Sequence, residues 1–190
     1  MPLSSPAARR EVHHRVIDMK TYAREDGLFD VEAHLVDTKP FDFVPLAWPE
    51  PVLANQPIHD LWIRLTVDGD YVVRAIEASS DVTPYPVCKG AQDTLSVLVG
   101  EPLVRGWSAK VKERLKGSAS CTHLMEMLIP LATTALQGIW GTDTTRLQRL
   151  AGDGGEGKID SCYAYDRHRE VVRMHWPKYY VPAGELGNLK

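Results

Sequence analysis

The sequence predicts an α+β fold, in which an antiparallel sheet of hairpins is covered on one face by helices. Two observations predict it. Apolar residues alternate with polar ones in the first half of the chain, up to about residue 78, whereas they recur at three- and four-residue spacing between residues 121 and 140. Strands that come first, joined by short turns, with helices later, are typical of an α+β architecture.

The first predicted hairpin lies within residues 12–38. One strand has an apolar set at period two, which faces inward: Phe29, Val31, Ala33 and Leu35. Asp26-Gly27 before it is a turn signal, so Val12–Ala23 is the expected partner strand. The following residues 39–57 hold five prolines and predict an extended connection without helix.

The second predicted hairpin turns at Asp68-Gly69. Its first strand carries an apolar face that begins with a histidine: His59, Leu61, Ile63, Leu65 and Val67. Tyr71–Ala78 is expected to return beside it. The helices should cover the face to which His59 points.

Three helices and two late strands complete the predicted fold. The helices are Gln92–Val99, Trp107–Leu115 and a long helix from Ser120 or Cys121 to Trp140. Ile159–Tyr165 and Glu170–His175 are predicted as β-strands of a late hairpin. With these elements we expect a disordered N-terminus over 1–10, a single domain over 11–180 and a tail over 181–190.

Composition excludes several classes of protein. Hydrophobic residues make up 44% and charged residues 25%, as in ordinary globular chains. The net charge of −3 gives no reason to expect a nucleic acid or an anionic membrane as partner. The best apolar window, Leu124–Leu136, is too short to span a bilayer, and no secretory signal begins the chain, so a cytoplasmic location is expected. The three cysteines should then stay reduced.

Four residues could converge on one metal site: His59, Cys88, Cys121 and His123. A strand start, a loop after a strand and a helix N-terminus can meet at one end of such a fold, and thiolate and imidazole are the ligands of zinc and iron–sulfur clusters. Cys121 and His123 can face one ion only if Cys121 lies at the helix cap, outside regular helical geometry. The structural alternative is that both cysteines are small buried side chains and that His123 bonds to the backbone.

Two segments, "HDLWIRLTVDGDYVVRAIEA" and "CTHLMEMLIPLATTAL", with Cys88 between them, resemble the IscU/NifU-type iron–sulfur scaffold family over about residues 58–140. The resemblance implies an IscU-like core to which N- and C-terminal strands are added. It places His59 on the family's ligand aspartate, Cys88 on its middle cysteine and Cys121 on its last. Because Pro57 stands where the family's first cysteine would be, a Cys₂His or Cys₂His₂ site is implied rather than a three-cysteine scaffold.

The whole chain also resembles an uncharacterised bacterial family of unknown function. The shared segments read "REDGLFDVEAHLVDTKPFDF", "PVC" and "SCTHL" here. This resemblance implies no reaction.

The functional prediction is a metal-binding protein of IscU-like fold that holds zinc or an iron–sulfur species. The alternatives are a small hydrolase or lyase that depends on the metal or on a Cys/His pair, and an interaction protein whose cysteines only pack. An open zinc position would supply an acidic water to an enzyme. The expected partner is a small-molecule ligand or a protein, and the sequence leaves the oligomeric state open.

Other polar residues have simpler interpretations. The acidic hairpin residues and His34 are predicted to form a solvated strand face, although Asp37, Lys39 and Asp42 are also candidates to line a pocket. Cys162 is predicted to be a buried strand cysteine, with a role as a further ligand as the alternative. His13 and His14 are adjacent, so we do not expect them to share a ligand. "GDGGEGKI" imitates a phosphate loop but is predicted to be a surface loop.

Overall fold

The computed structural model describes residues 4–46, 48, 50–104, 106–142 and 157–182. The chain divides into two compact units, Met1–Ile139 and Trp140–Lys190. The sequence predicts one domain over 11–180, whereas the structure divides close to the end of the long helix. The start of the "GDGGEGKI" segment and the end of the predicted tail lie outside the described residues.

The first unit is built on a four-stranded antiparallel sheet in the order β1-β2-β3-β4. Its strands are β1 (His14–Ala23), β2 (Phe29–Thr38), β3 (Pro57–Val67) and β4 (Val73–Val82). Neighbouring strands in the sheet are also neighbours in the sequence, so both predicted hairpins are confirmed. Gly27 adopts a φ of +82° in the first turn, a conformation that favours glycine.

Helical segments follow the strands. They are a 3₁₀ segment (Pro86–Leu98), α1 (Trp107–Leu115), a short 3₁₀ turn (Gly117–Ala119) and α2 (Thr122–Trp140). The two α-helices confirm the predicted positions. The predicted helix at Gln92–Val99 is instead part of the longer 3₁₀ segment, where the hydroxyls of Thr94 and Ser96 bond to carbonyls three residues back.

One face of the sheet forms the core with the helices, as predicted. Val31, Ala33 and Leu35 of β2 and the apolar set of β3 are buried in one cluster with α1 and α2. Trp107 at the start of α1 donates its indole N–H to the carbonyl of Leu128 in α2 at 2.8 Å, which joins the two helices.

The long helix also approaches the edge strand closely. A Cβ placed on Gly138 of α2 would lie 2.4 Å from Cβ of Thr21 in β1. The hydroxyl of Thr21 donates to the carbonyl of Thr134 at 3.1 Å. The glycine therefore allows α2 to lie directly over β1.

The predicted C-terminal strands are wrong. In the second unit, Tyr163–Tyr165 is a 3₁₀ turn, and Glu170–His175 is a short helix, here α3. The acidic Glu170 in the first turn of α3 and the basic Arg173 and His175 in its last turn complement the helix dipole. Glu170 also accepts a hydrogen bond from Arg173 at 2.7 Å. The strand prediction fails here because a short apolar run cannot by itself distinguish a strand from a helix.

The described residues of the connection between β2 and β3 form no helix, as predicted, and Phe43 and Val52 form an isolated bridge there. In the described part of the chain, no helix combines the length and apolar character that crossing a bilayer requires.

Candidate functional site

The site begins as a row of polar side chains across three strands. Arg15 of β1 pairs with Asp37 of β2, which pairs with His59 of β3. Direct cross-strand partners point to the same face of a sheet, here the face that the helices cover. The β2–β3 register shifts immediately after Asp37, and irregularities of this kind are common beside functional sites.

Asp37 is the centre of this row and is 1% exposed. Arg15 donates to both of its carboxylate oxygens, from Nε to Oδ1 and from Nη2 to Oδ2, each at 2.7 Å. Nε2 of His13 lies 3.2 Å from Oδ1, and Nδ1 of His59 donates to Oδ2 at 3.0 Å. The predicted solvated position of Asp37 is therefore wrong, because Asp37 faces the core.

The electrostatics favour an ionised Asp37. Burial raises the pKa of this carboxyl, but the hydrogen bonds and charge of Arg15, with His59 and His13, leave the pKa below its ordinary value. The same hydrogen bond raises the pKa of Arg15. The Asp37 carboxylate and the Arg15 guanidinium thus form a bidentate ion pair, and the imidazoles of His59 and His13 contact the same carboxylate.

His59 and His123 bring the sheet and α2 together. His123 lies in the first turn of α2, and its ring centroid is 4.1 Å from that of His59. Nε2 of His123 is 4.0 Å from Oδ2 of Asp37. Burial, with the nearby charges of Arg15 and His13, leaves the pKa of His59 below its ordinary value although Asp37 raises it, so the neutral ring is favoured.

Cys121 immediately precedes α2, in the cap position that the sequence requires if it is to approach His123. Its carbonyl accepts the helical hydrogen bond from the N–H of Met125, and its Sγ lies 3.8 Å from Nδ1 of His123. Burial raises the pKa of the thiol, but His123 and the backbone N–H groups of Leu124 and His123 bring the pKa below its ordinary value.

All four predicted ligands line one cavity of about 650 Å³: His59, Cys88, Cys121 and His123. Of the described His, Cys, Asp and Glu side chains, however, those with ligand atoms all within 4.8 Å of one another are Asp37, His59 and His123. Two of the predicted ligands thus form one group with a carboxylate, and Sγ of Cys121 lies 3.8 Å from one member of that group, His123. Cys88 belongs to the wall of the cavity, and ligation by either cysteine stays a prediction.

The remaining candidates lie elsewhere or have other roles. Cys162 is exposed, so its prediction as a buried strand cysteine is wrong. Asp42 accepts a hydrogen bond from the N–H of Ala54 in the connection between β2 and β3. His13 contacts Asp37, although it is not predicted as a site residue.

Arg15 is a site residue that the sequence does not identify, and Asp37 is predicted only as a solvated strand residue or as a candidate to line a pocket, not as a ligand. The signal for Asp37 is present in the sequence, because the inward alternation that begins at Phe29 continues through Leu35 to residue 37. A charged residue on an otherwise apolar face needs a partner. Arg15 can be found only from the register of the hairpin.

Comparison with known proteins gives one family. A family model described as a protein of unknown function (DUF2889) matches residues 13–137, which is 125 of the 190 residues. No curated protein and no solved structure matches the chain. These comparisons give no evidence for the resemblance to iron–sulfur scaffolds. Since the match covers more than half of the chain, the chain belongs to the DUF2889 family.

Proposed function

We propose that this member of the DUF2889 family binds a divalent transition metal ion, zinc or ferrous iron, through Asp37, His59 and His123. The observation that carries the proposal is the approach of their ligand atoms to within 4.8 Å of one another. Imidazole and carboxylate are ordinary ligands for both ions, and two histidines with one carboxylate form a known site for non-haem iron.

The distances within the group are close to those of a metal site. Nδ1 of His59 and Nε2 of His123 lie 3.0 and 4.0 Å from Oδ2 of Asp37. Ligand atoms on one tetrahedral zinc lie about 3.4 Å apart, given bonds of about 2.0–2.1 Å. Small side-chain movements would therefore complete the coordination.

Arg15 supports this use of Asp37. A carboxylate has about four positions at which it can accept. Arg15 occupies one on each oxygen and balances the negative charge, and the second position on Oδ2 faces the imidazoles. Binding would require the proton of the neutral His59 ring to move from Nδ1 to Nε2, so that Nδ1 can accept the ion while the ring stays uncharged.

The proposal gives Cys121 a different role from the one expected from the sequence. Sγ approaches Nδ1 of His123, whereas the other ring nitrogen, Nε2, is directed toward Asp37. A metal-binding histidine commonly donates its second ring N–H to a neighbouring acceptor, which fixes its tautomer. Cys121 would therefore orient His123, and an iron–sulfur cluster, which needs thiolate ligands, is not the favoured species.

Three protein ligands leave a coordination position open to water or to a ligand. Such sites are typical of catalytic rather than structural zinc, and they acidify a bound water. A small hydrolase or lyase is therefore the enzymatic form of this proposal.

A second candidate is a cysteine nucleophile. The contacts from Cys121 to His123 at 3.8 Å and from His123 to Asp37 at 4.0 Å follow the order of nucleophile, base and orienting carboxylate. In this function the histidine serves the thiol, and no metal is needed.

Metal titration of purified protein separates the two candidates. After removal of bound metal, zinc binding is measured by competition with a chromophoric chelator for wild type, His59→Ala, His123→Ala and His34→Ala. His34 is the matched control, because it also lies in a His–Asp pair, 2.8 Å from Asp60, and strand alternation directs this pair to the face of the sheet opposite to Asp37 and His59.

We expect one zinc per chain in wild type and in His34→Ala, and at least roughly a hundredfold weaker binding in the other two variants, since each loses a direct ligand. Equal zinc affinity in all four proteins would reject the metal site. Rapid alkylation of Cys121 that depends on His123, without zinc binding, would favour the nucleophile.

A further inference from the structure

We infer that the cavity beside the imidazoles binds an uncharged, predominantly apolar small molecule. The cavity has a volume of about 650 Å³. Ligand pockets for drug-sized molecules range over about 300–1,000 Å³, so a molecule of up to about three rings would fit.

The wall of the cavity determines the class of ligand. Its apolar part comes from the end of the sheet, the loop after β4, the 3₁₀ segment and the turn before α2: Leu61, Pro84, Tyr85, Val87, Ala91 and Ala119. These side chains would bury apolar surface of a ligand without a polar cost.

The charge of a ligand is the property against which this cavity is expected to select. Among the described residues that line the cavity, none is Lys, Arg, Asp or Glu. The nearby Arg15 forms its bidentate pair with Asp37 and is not part of the lining. A charged group on the body of a ligand would lose its hydration without gaining an opposite charge, which disfavours its binding.

The hydroxyl groups of the wall are consistent with this choice. Thr94 and Ser120 hydrogen-bond to each other at 2.7 Å, and Thr83 donates to the carbonyl of Tyr85 at 3.0 Å. The polar wall thus satisfies part of its hydrogen-bonding capacity internally, and the apolar surface is left for the ligand.

The imidazoles give the ligand an orientation. His59, His123 and Cys121 lie together in the lining. If the proposed metal is bound there, an oxygen or sulfur donor on the ligand would be directed at the ion, with the apolar body against the wall. This orientation rests on the proposed function, whereas the preference for an uncharged body rests on the cavity alone.

A matched pair of fluorescent probes tests the preference for an uncharged body. N-phenyl-1-naphthylamine is uncharged, and 8-anilino-1-naphthalenesulfonate adds a sulfonate to nearly the same skeleton. With metal-free wild-type protein, we expect the uncharged probe to bind at least roughly tenfold more tightly, because the sulfonate must be desolvated. Equal affinities, tighter binding of the sulfonate or no binding of the uncharged probe would overturn the inference.

Variants on one segment locate the probe. Val87 lines the cavity and is 82% exposed, whereas Val97 on the same 3₁₀ segment is 46% exposed and is not part of the lining. Val87→Lys should reduce the preference for the uncharged probe by roughly fivefold or more, since it supplies a cation for the sulfonate. Val97→Lys is the control and should leave the preference unchanged. Equal effects of both variants would show that the probe binds elsewhere and would overturn the inference.

The zinc-loaded protein tests the orientation separately. Benzohydroxamate and benzamide share an apolar ring, but the hydroxamate is a much stronger metal ligand. We expect the hydroxamate to bind at least roughly tenfold more tightly in the presence of zinc and no such difference without it. Binding of the fluorescent probe by a protein that does not bind zinc would reject the proposed metal function and support the inferred ligand cavity. Equal affinity of benzohydroxamate and benzamide for the zinc-loaded protein would overturn the inferred orientation of the ligand.

Discussion

The helix-covered face of the sheet has two ends that differ in chemistry. At the apolar end, Val31 and Leu65 pair across β2 and β3 and are fully buried. At the other end, the same two strands place Asp37 opposite His59, with Arg15 beside them. Both ends use the same alternation and the same helix as a cover, so the difference lies only in the side chains. The apolar end therefore stabilises the fold, whereas the polar end is where we place function.

The largest expected effect is a loss of stability caused by a substitution at the apolar end. Leu65→Ala removes a fully buried side chain at the apolar end, where it pairs with Val31. We expect the free energy of unfolding to fall by about 2–5 kcal/mol, because a cavity is left in the core. Urea denaturation measures this loss. Zinc bound per folded chain should stay unchanged, and a variant that keeps its stability but loses zinc would contradict the division between the two ends.

Asp37→Asn breaks the polar end with little change of shape. Arg15 loses its charged partner but is about one-third exposed, so water can solvate the guanidinium. We therefore expect the main effect on zinc affinity, a loss of at least roughly a hundredfold, since a charged ligand becomes neutral. Isothermal titration calorimetry measures it. Asp60→Asn, the partner of His34, is the matched control, and an equal loss in both variants would count against the site.

Cys121→Ala sharpens the role of the thiol within the polar end. Loss of a group that orients a metal-binding histidine is expected to weaken zinc binding by about 10–100-fold, less than the loss of a ligand. Cys162→Ala should have no effect, because Cys162 is exposed in the second unit. Complete loss of zinc in Cys121→Ala would make the cysteine a ligand, as the sequence alone suggests.

The smallest effect is the pH dependence of metal-free stability. Burial lowers the pKa of His59 in the folded protein below its ordinary value of about 6.5. Its contribution to stability is therefore complete above that value and is lost as the pH falls through 6.5 toward the folded pKa. Denaturation in the presence of a chelator at pH 7.5 and 5.5 should show a smaller loss for His59→Gln than for wild type. Equal losses would show that His59 does not carry the effect.

The fold could be predicted from the sequence wherever a periodic apolar pattern was long. Period-two alternation identified β2 and β3, and the apolar stripe between residues 124 and 139 identified α2. The strand prediction for Glu170–His175 is wrong, because six residues are too few to distinguish the period of a strand from that of a helix. The positions of both hairpins followed from their turn residues, which are local signals.

The candidate site could be predicted only in part. His59 was identified from its place on an apolar strand face and His123 from its place at a helix start, and their ring contact confirms that the two elements meet. The polar composition of the hairpin favours a solvated Asp37, because acidic residues are usually exposed, and this prediction is wrong. The burial of Asp37 depends on Arg15, a residue 22 positions away in the sequence. Such pairings follow from register and from tertiary packing, which composition and spacing do not encode.

X-ray absorption at the zinc edge tests the central claim most directly, because it measures the atoms bound to the ion in the folded protein. The account predicts a first shell of nitrogen and oxygen at about 2.0–2.1 Å, as expected for two imidazoles and a carboxylate. A sulfur contribution at about 2.3 Å would contradict it, because Cys121 or Cys88 would then bind the ion directly.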